Sequence, residues 1–136
     1  QSQINLAIVT IAEDRHVGNI GINSIDWVNR MAQIGLLVGE KDYWGTGVAA
    51  EAYELVEAYA FDRLNLRKLS GGTRADNVPT VILLKKLRWV QEGRRRRHVM
   101  RDNQAYDVLL FGLLREEYYA MIAERTAHNS PIEDRE

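Results

Sequence analysis

The sequence predicts one mixed α/β domain that begins with an antiparallel meander of three strands. Apolar, β-branched segments alternate with segments of helical periodicity, and no linker or internal repeat divides the 136 residues. Hydrophobic residues make up 46% and charged residues 27%, which is ordinary for a globular domain with its own core. We therefore expect one domain over residues 1–127 and a polar, frayed tail over residues 128–136.

The composition limits the classes of function. A net charge of -1 gives no overall field that would attract nucleic acid or an anionic membrane, and no apolar run approaches the roughly 20 residues that span a bilayer. The chain has no cysteine, so it has no disulfide and no thiolate nucleophile or metal site. His16, His98 and His128 lack the spacing of metal ligands. We expect a cytoplasmic protein that binds no metal, no membrane and no nucleic acid.

Three strands and a helix are predicted in the first part of the chain. Residues 4–11, 17–25 and 32–38 are rich in β-branched and apolar side chains, and short polar segments separate them. Such short connections predict an antiparallel meander. The period then becomes helical from residue 47 to about residue 64. The apolar face of this helix would consist of Val48, Ala52, Leu55, Val56, Tyr59 and Ala60, with Glu51, Glu54 and Glu57 largely off it.

The second part of the chain predicts two more helices and three more strands. A strand covers residues 67–73, and Asn77 followed by proline begins a helix that ends near residue 87. Another strand begins at Trp89. A turn over residues 99–103, a buried strand over 105–114 and a closing helix over 115–126 complete the chain. The predicted order is β-β-β-loop-α-β-α-β-β-α.

The loop before the first helix has the composition of a phosphate site. Gly45 and Gly47 leave backbone N–H groups free of Cβ atoms, and the helix adds unpaired N–H groups and the positive end of its dipole. Residues 45–50 also satisfy the dinucleotide pattern G-x-G-x-x-A. However, six residues separate the pattern from the strand, and Arg67 and Lys68 stand about 20 residues on, where an acid is needed. A P-loop is excluded because no Gly-Lys-Ser/Thr follows.

Three segments in the same order resemble the GNAT superfamily of acetyl-CoA-dependent N-acetyltransferases. Asp42, Gly45 and Gly47 stand at the defining positions of its Q/R-x-x-G-x-G/A pyrophosphate motif. Residues 77–93, which begin with asparagine and contain LLKKLRWVQEG, are similar to a second family segment, and residues 106–118 resemble its last strand and C-terminal end. The ribosomal-protein N-terminal acetyltransferases (the Rim-type branch) and their relatives acting on small amines are the most similar in style.

The resemblance implies a mostly antiparallel central sheet with flanking helices, and it implies how acetyl-CoA, the co-substrate, binds. The strand before the loop splays from its neighbour, and backbone groups of Leu36, Leu37 and Val38 would hold the pantetheine arm in the gap. One of these N–H groups would polarise the thioester carbonyl. Asn77 would hydrogen-bond the pantetheine or the acetyl end, and Lys86 would reach a CoA phosphate. The residues that would wrap the pyrophosphate are Tyr43, Trp44, Gly45, Thr46, Gly47, Val48 and Ala49.

The resemblance also implies direct attack of a neutral amine on the thioester. This reaction needs a base for the amine and an acid for the departing thiolate. Thr80, three residues after Asn77, aligns with a hydroxyl that serves as the acid in the Rim-type branch. The other interpretation of Thr80 is a first-turn residue bonded to its own backbone. The candidates for the base are Asp26, Gln33 and Tyr106.

Several positions depart from the family pattern. Asp42 replaces the Gln or Arg of the pyrophosphate motif, so backbone N–H groups must make that contact. Leu84 stands where many relatives place a tyrosine acid, Gln33 where they often place a glutamate, and Trp89 where they usually place phenylalanine. A full domain also begins with a strand and two helices, whereas only 44 residues precede Gly45. We expect that segment to be absent, disordered or supplied by another chain.

These departures leave alternatives open. A GNAT-like domain that binds CoA without chemistry would fit the missing tyrosine and glutamate. An amino-sugar nucleotide acceptor would give a function to residues 94–97, four consecutive arginines. On a strand, however, alternate side chains point to opposite faces, so a solvated edge strand is the simpler interpretation. The last helix carries an apolar patch, either a core contact or a homodimer surface, formed by Tyr118, Tyr119, Met121 and Ile122.

Overall fold

The computed structural model describes residues 3–10, 14–38 and 47–128, which form six strands and three α-helices in the predicted order. A π-helical turn, Tyr59–Arg63, continues the first helix. The elements are β1 (Ile4–Thr10), β2 (Arg15–Asp26), β3 (Met31–Val38), α1 (Val48–Ala58), β4 (Lys68–Arg74), α2 (Val78–Lys86), β5 (Val90–Arg101), β6 (Gln104–Leu114) and α3 (Arg115–His128).

The strands form one sheet in the order β1-β2-β3-β4-β6-β5. β3 and β4 are parallel, and every other pair of neighbours is antiparallel. The first three strands form the predicted meander, because they are neighbours in chain order. The prediction of a mixed α/β fold with a mostly antiparallel sheet is confirmed.

All three helices pack on one face of the sheet. The connections β3-α1-β4 and β4-α2-β5 move across the sheet in the same direction, and right-handed crossovers place their helices on the same side. The core is formed mainly by Ile22, Ile34, Leu69 and Phe111 from the strands and by Tyr53, Phe61, Leu84 and Tyr118 from the helices. We call the other side of the sheet the open face, because no described element covers it.

The buried face of α1 differs from the predicted one. Leu55, predicted on the apolar face, is 66% exposed, whereas Tyr53 and Glu57 are buried. The ring of Tyr53 packs edge-on against Trp89 with centroids 5.8 Å apart, and this contact favours a helix rotation that turns Leu55 outward. The prediction that Glu57 lies off the buried face is therefore wrong.

Several element ends also differ from the sequence prediction. The turn predicted over residues 99–103 consists of Asp102 and Asn103 alone, because β5 runs to Arg101. Both turn residues have positive φ, 50° and 63°, which Asp and Asn tolerate and a two-residue hairpin turn requires. β4 lies one residue later than predicted, and α3 extends to His128.

The predicted apolar patch on α3 is mainly a core contact. Tyr118 and Met121 are buried, and Ile122 packs against the core. Tyr119 is 38% exposed, and its hydroxyl donates a hydrogen bond to Asp62. Only Tyr119 therefore remains available as a surface residue of the predicted patch.

The arginine run does not keep the strand alternation assumed for it. The pairing of β5 with β6 shifts register between Arg95 and Val99, so the strand bulges there. Arg97 has a φ of 47°, and its backbone N–H donates to Oδ1 of Asp107 over 2.8 Å. The other oxygen of Asp107 accepts from Arg94 over 2.5 Å. These contacts hold the pKa of Asp107 below its usual value, the bond from Arg97 contributing most.

Candidate active site

The parallel strands β3 and β4 separate after three paired residues. Residues 31–33 pair with residues 68–70, and neither strand pairs with the other beyond them. At the next level a Cβ on Gly71 would lie 3.3 Å from the backbone oxygen of Ile34, so the strands are still close there. Farther on, each strand pairs only with its neighbour on the other side. We call this opening the fork; it is the predicted splayed strand pair.

The fork opens toward the N-termini of two helices. α1 follows β3 and α2 follows β4 along the chain. Because the two strands are parallel, both helices begin near the same edge of the sheet. In open sheets with parallel strands, ligands bind at the carboxyl ends of the strands, where helix dipoles and free N–H groups converge. The arrangement suits an extended ligand that carries negative charge at one end.

Gly47 forms the N-cap of α1 in a conformation that favours glycine. Its φ is 92° and its ψ is -5°, and its backbone oxygen accepts from the N–H of Glu51 over 3.0 Å. A Cβ at Gly47 would meet no described atom within 4 Å, and no side chain of the residue caps the helix. No described side chain therefore crowds the first backbone N–H groups of α1, those of Val48 and Ala49. The predicted contacts of Tyr43, Trp44, Gly45 and Thr46 lie outside the described residues.

Asn77 and Thr80 begin α2 as the sequence predicts. The Asn77 side chain caps the helix by accepting from the N–H of Thr80 over 3.4 Å, which is a long hydrogen bond. Thr80 is half-buried, and its hydroxyl forms no hydrogen bond with another described residue. The role of the Thr80 hydroxyl stays a prediction.

The family model described as an acetyltransferase (GNAT) domain matches residues 1–90 of this chain. The chain belongs to the GNAT family. This GNAT domain is 34% identical over 119 residues to the uncharacterized N-acetyltransferase p20 of Bacillus licheniformis, covering 87% of this chain and 66% of p20. It is 26% identical over 101 residues to YdaF of Bacillus subtilis (strain 168), provisionally named a ribosomal N-acetyltransferase, covering 74% of this chain and 55% of YdaF. The chain therefore spans just under two thirds and just over half of these relatives.

Solved structures show the same fold. The spermidine/spermine N-acetyltransferase SpeG of Vibrio cholerae, in complex with manganese ions, superimposes with a TM-score of 0.82 at 19% identity, covering 89% of this chain and 70% of SpeG. A dodecameric structure of spermidine N-acetyltransferase from the same organism gives 0.81 at 20% identity, covering 87% and 68%. At these identities the likeness concerns the fold alone. The family and fold predicted from the sequence are confirmed.

The GNAT domain offers no metal cluster in its described part. No three His, Cys, Asp or Glu side chains there are grouped so that they could hold a metal ion. The same residues include no helix that is long and apolar enough to cross a membrane.

Asp26 lies at the turn between β2 and β3 of the GNAT sheet, whereas Gln33 lies on β3 itself. Asp26 accepts from the N–H of Asn29 over 2.9 Å, from its side-chain amide over 2.8 Å and from the N–H of Val28 over 3.1 Å. These bonds, first that of the Asn29 backbone, lower the pKa of Asp26 and fix it as the cap of the β2–β3 turn. Gln33 lies at the base of the fork, exposed on the open face. The lowered pKa makes Asp26 a weak base.

Tyr106 lies on the open face of the sheet, whereas Lys86 lies on a helix of the other face. Tyr106 is on β6, where Cζ of Arg74 is 5.0 Å from its ring centroid and its hydroxyl donates to Gln104 over 3.4 Å. Arg74 also pairs with Asp76 over 2.9 Å. Lys86 is exposed in the last turn of α2, about 12 Å along the helix axis from its start at 1.5 Å per residue.

Glu92 is a carboxylate near the fork that no sequence pattern indicates as a base. Gln33 pairs with Ser70, and Ser70 pairs with Gly112 on the next strand. A Cβ on Gly112 would collide with the Glu92 carboxylate, so Glu92 lies over this row on the open face. Lys68 holds it there over 3.0 Å. The register shift between Gln91 and Gly93 turns Glu92 to this face, and that shift cannot be predicted from alternation.

A second unpredicted acid is buried beneath the site. Glu57 of α1 is fully buried, and its Oε2 accepts from Nε1 of Trp89 over 2.9 Å. Its other oxygen, Oε1, has no hydrogen-bond partner among the described residues. Burial raises the pKa of Glu57 to about 7, against the smaller opposing effect of the Trp89 bond. The acid thus ties the helix that follows the glycine loop to the start of β5.

Proposed function

We propose that this domain is an acetyl-CoA-dependent N-acetyltransferase that acts on a primary amine by direct attack. One observation carries the proposal: the parallel strands β3 and β4 stop pairing after three residues, and both are followed by helices that begin at the opening. An extended thioester with a charged pyrophosphate fits such an opening. The acceptor is a protein N-terminus or a small amine.

Different residues at the fork would bind different parts of acetyl-CoA. Backbone groups of Leu36, Leu37 and Val38 lie on the part of β3 that has no partner on the β4 side. They would pair with the amides of the pantetheine arm. The N–H groups of Val48 and Ala49, with the loop from Tyr43 to Gly47, would hold the pyrophosphate. Asn77 would bind the pantetheine or acetyl end, and Lys86 a phosphate.

The chemistry needs an electrophile, an acid and a base. Acetyl-CoA supplies an activated acetyl group as a thioester. A backbone N–H of β3 would donate to the carbonyl oxygen, where negative charge develops. The Thr80 hydroxyl would give its proton to the leaving sulfur. Glu92 would take the proton of the amine through bridging water. It lies about 10 Å from Gln33, which is two strand spacings across the sheet. Tyr106 remains a candidate for that step, and Asp26 a weaker one because its carboxylate is committed to a turn.

Replacing Thr80 with alanine should lower kcat at least tenfold and leave the Kd of acetyl-CoA within twofold. The hydroxyl acts on the sulfur only as the bond breaks, so its loss affects the transition state more than binding. Steady-state release of free thiol and calorimetry measure the two quantities. Thr126→Ala, on the far end of α3, is the matched control and should change neither. An unchanged kcat for Thr80→Ala would remove the acid role.

The proposal itself is tested by titrating the purified protein with acetyl-CoA, NAD and ATP in a calorimeter. Acetyl-CoA alone should bind, and thiol release should then follow on adding an amine from a panel of peptides, amino sugars, amino-sugar nucleotides and spermidine. Binding without release by any amine would favour the catalytically silent CoA-binding module. Release with amino-sugar nucleotides alone would favour that alternative acceptor. Binding of NAD but not acetyl-CoA would overturn the proposal.

Two further proposals concern the cellular compartment and the oligomeric state of the protein. The cysteine-free composition favours the cytoplasm. A homodimer would bury the exposed apolar side chains of Leu55 and Tyr59 on the helical surface, together with Tyr119 of α3. Sedimentation of the wild-type protein and of a Leu55→Glu variant tests the dimer.

A further inference from the structure

We infer that the open face beside the fork binds an anionic group of the acceptor, with Arg95 as the main contact, so that the preferred amine carries a phosphate or a carboxylate. The inference rests on the proposed function and names its substrate class. Five arginines lie between residues 94 and 101, and the acids of the β5–β6 hairpin are Asp102, Asp107 and Glu92, the last of which pairs with Lys68. In a chain whose net charge is -1, this hairpin is a local excess of positive charge.

The strand register places Arg95 in one row with Arg74. Arg74 pairs with Val108 of β6, and Val108 pairs with Arg95 of β5. Register partners share a face of the sheet, and Val108 alternates with Leu109, which belongs to the core. The row therefore lies on the open face. With about 4.8 Å between strands, the backbones of Arg74 and Arg95 are about 10 Å apart.

At the bulge, Arg95 has no protein partner within the part of the chain that the structure describes. Asp107 neutralises Arg94 and bonds the backbone of Arg97, and Asp76 pairs with Arg74. Among the described residues, the exposed guanidinium of Arg95 forms neither a hydrogen bond nor an ion pair. Arg95 therefore lies in the same row as Arg74, whose guanidinium is already paired with Asp76. An incoming anion can bind Arg95 without displacing an internal carboxylate.

This cation lies on the acceptor side of the fork. Arg74 is the last residue of β4, and the N–H of Ala75 donates to the backbone oxygen of Asp107 over 2.9 Å. Asn77, the cap of α2, follows two residues later. The helices that would hold acetyl-CoA pack on the other face of the sheet. An amine that reaches the thioester from the open face therefore passes the Arg74–Arg95 row.

The charge of this row selects among amines. Guanidinium groups bind phosphate and carboxylate through paired N–H donors. A polyamine would meet an uncompensated like charge there, which disfavours it. Nucleic acid binding is disfavoured because the excess charge is confined to one hairpin of a chain with a pI near 6.4. A small anionic amine fits these limits.

The test compares glucosamine 6-phosphate, glucosamine and spermidine as acceptors for the wild-type protein. We expect kcat/KM for the phosphorylated sugar to exceed that for glucosamine at least tenfold in 50 mM salt and to lose most of this advantage in 500 mM salt. Arg95→Gln should abolish the advantage and leave the reaction of glucosamine unchanged. Arg88→Gln is the matched control, because Arg88 pairs with Glu124 of α3. A preference for spermidine, or an unchanged ratio in Arg95→Gln, would overturn the inference.

A binding measurement separates this inference from the proposed function. Inorganic pyrophosphate is titrated by calorimetry into the Gly47→Glu protein, in which the proposed CoA pyrophosphate site is blocked, and into the Gly47→Glu/Arg95→Gln double variant. A site at Arg95 predicts binding to Gly47→Glu that is lost in the double variant, even if no amine is acetylated. Equal binding by the two variants would contradict it. Binding of a uridine oligonucleotide at least tenfold tighter than pyrophosphate, lost in Arg95→Gln, would show a nucleic acid surface instead.

Discussion

Replacing Gly47 with glutamate is expected to weaken acetyl-CoA binding at least 100-fold while the domain stays folded. The residue caps α1 with a φ of 92°, and no described atom would lie within 4 Å of a Cβ there. A carboxylate there would stand beside the proposed pyrophosphate. Two unit charges 5 Å apart repel by about 3 kcal/mol at an effective dielectric constant near 20, which is enough for the loss. Calorimetry with acetyl-CoA measures it.

A second variant separates charge from backbone strain. Gly47→Asn places a neutral residue that tolerates positive φ at the same position. It should keep acetyl-CoA affinity within about tenfold, since only steric effects remain. Strain from a side chain in this conformation costs about 1–2 kcal/mol, so thermal unfolding should show both variants folded at 25 °C. If folded Gly47→Glu binds acetyl-CoA as the wild type does, the pyrophosphate is not held at α1.

Glu57 is expected to make the stability of the domain fall as the pH rises from about 4.5 to about 7. Burial raises its pKa from 4.5 to about 7 in the folded state. Between these values the folded protein keeps a proton that the unfolded chain has lost, so each rise in pH favours unfolding. The stabilisation is complete below pH 4.5 and is lost at about pH 7. Its size is on the order of 3 kcal/mol, at 1.36 kcal/mol per pKa unit.

The variant Glu57→Gln isolates this effect. The amide oxygen can still accept from Nε1 of Trp89, and the side chain no longer titrates. Urea unfolding at several pH values should therefore show Glu57→Gln gaining about 3 kcal/mol relative to wild type between pH 4.5 and pH 8. Glu51→Gln, at an exposed acid of the same helix, is the control and should show no such gain. Parallel pH profiles for wild type and Glu57→Gln would mean that Glu57 ionises as an exposed acid does.

The identity of the domain was predictable because its signals are local. The N-cap at Asn77, the change from strand to helix at the glycine loop and the spacing of Gly45 and Gly47 depend on residues a few positions apart. These patterns predicted the order of the elements and the GNAT family. The same local signals misplaced the β5–β6 turn, because Asp102 and Asn103 alone can make it.

The roles of single charged residues were less predictable. Helical periodicity placed Glu57 off the buried face, but Trp89, which supplies its hydrogen bond, lies 32 positions away. Strand alternation predicted the exposed edge strand at residues 94–97, which is confirmed, but it did not predict the bulge that Asp107 holds from the neighbouring strand. In both cases a distant partner decides the orientation of a side chain, and no local pattern records that partner.

The sequence by itself determined the class of fold, the element order and the glycine that caps α1. These follow from hydrophobic periodicity and backbone conformation, which act over a few residues. Only the tertiary structure decided where β3 and β4 part, that Glu92 turns to the open face, and that Arg74 and Arg95 share a row. Those features depend on strand register, and register is fixed by contacts between residues far apart in the chain.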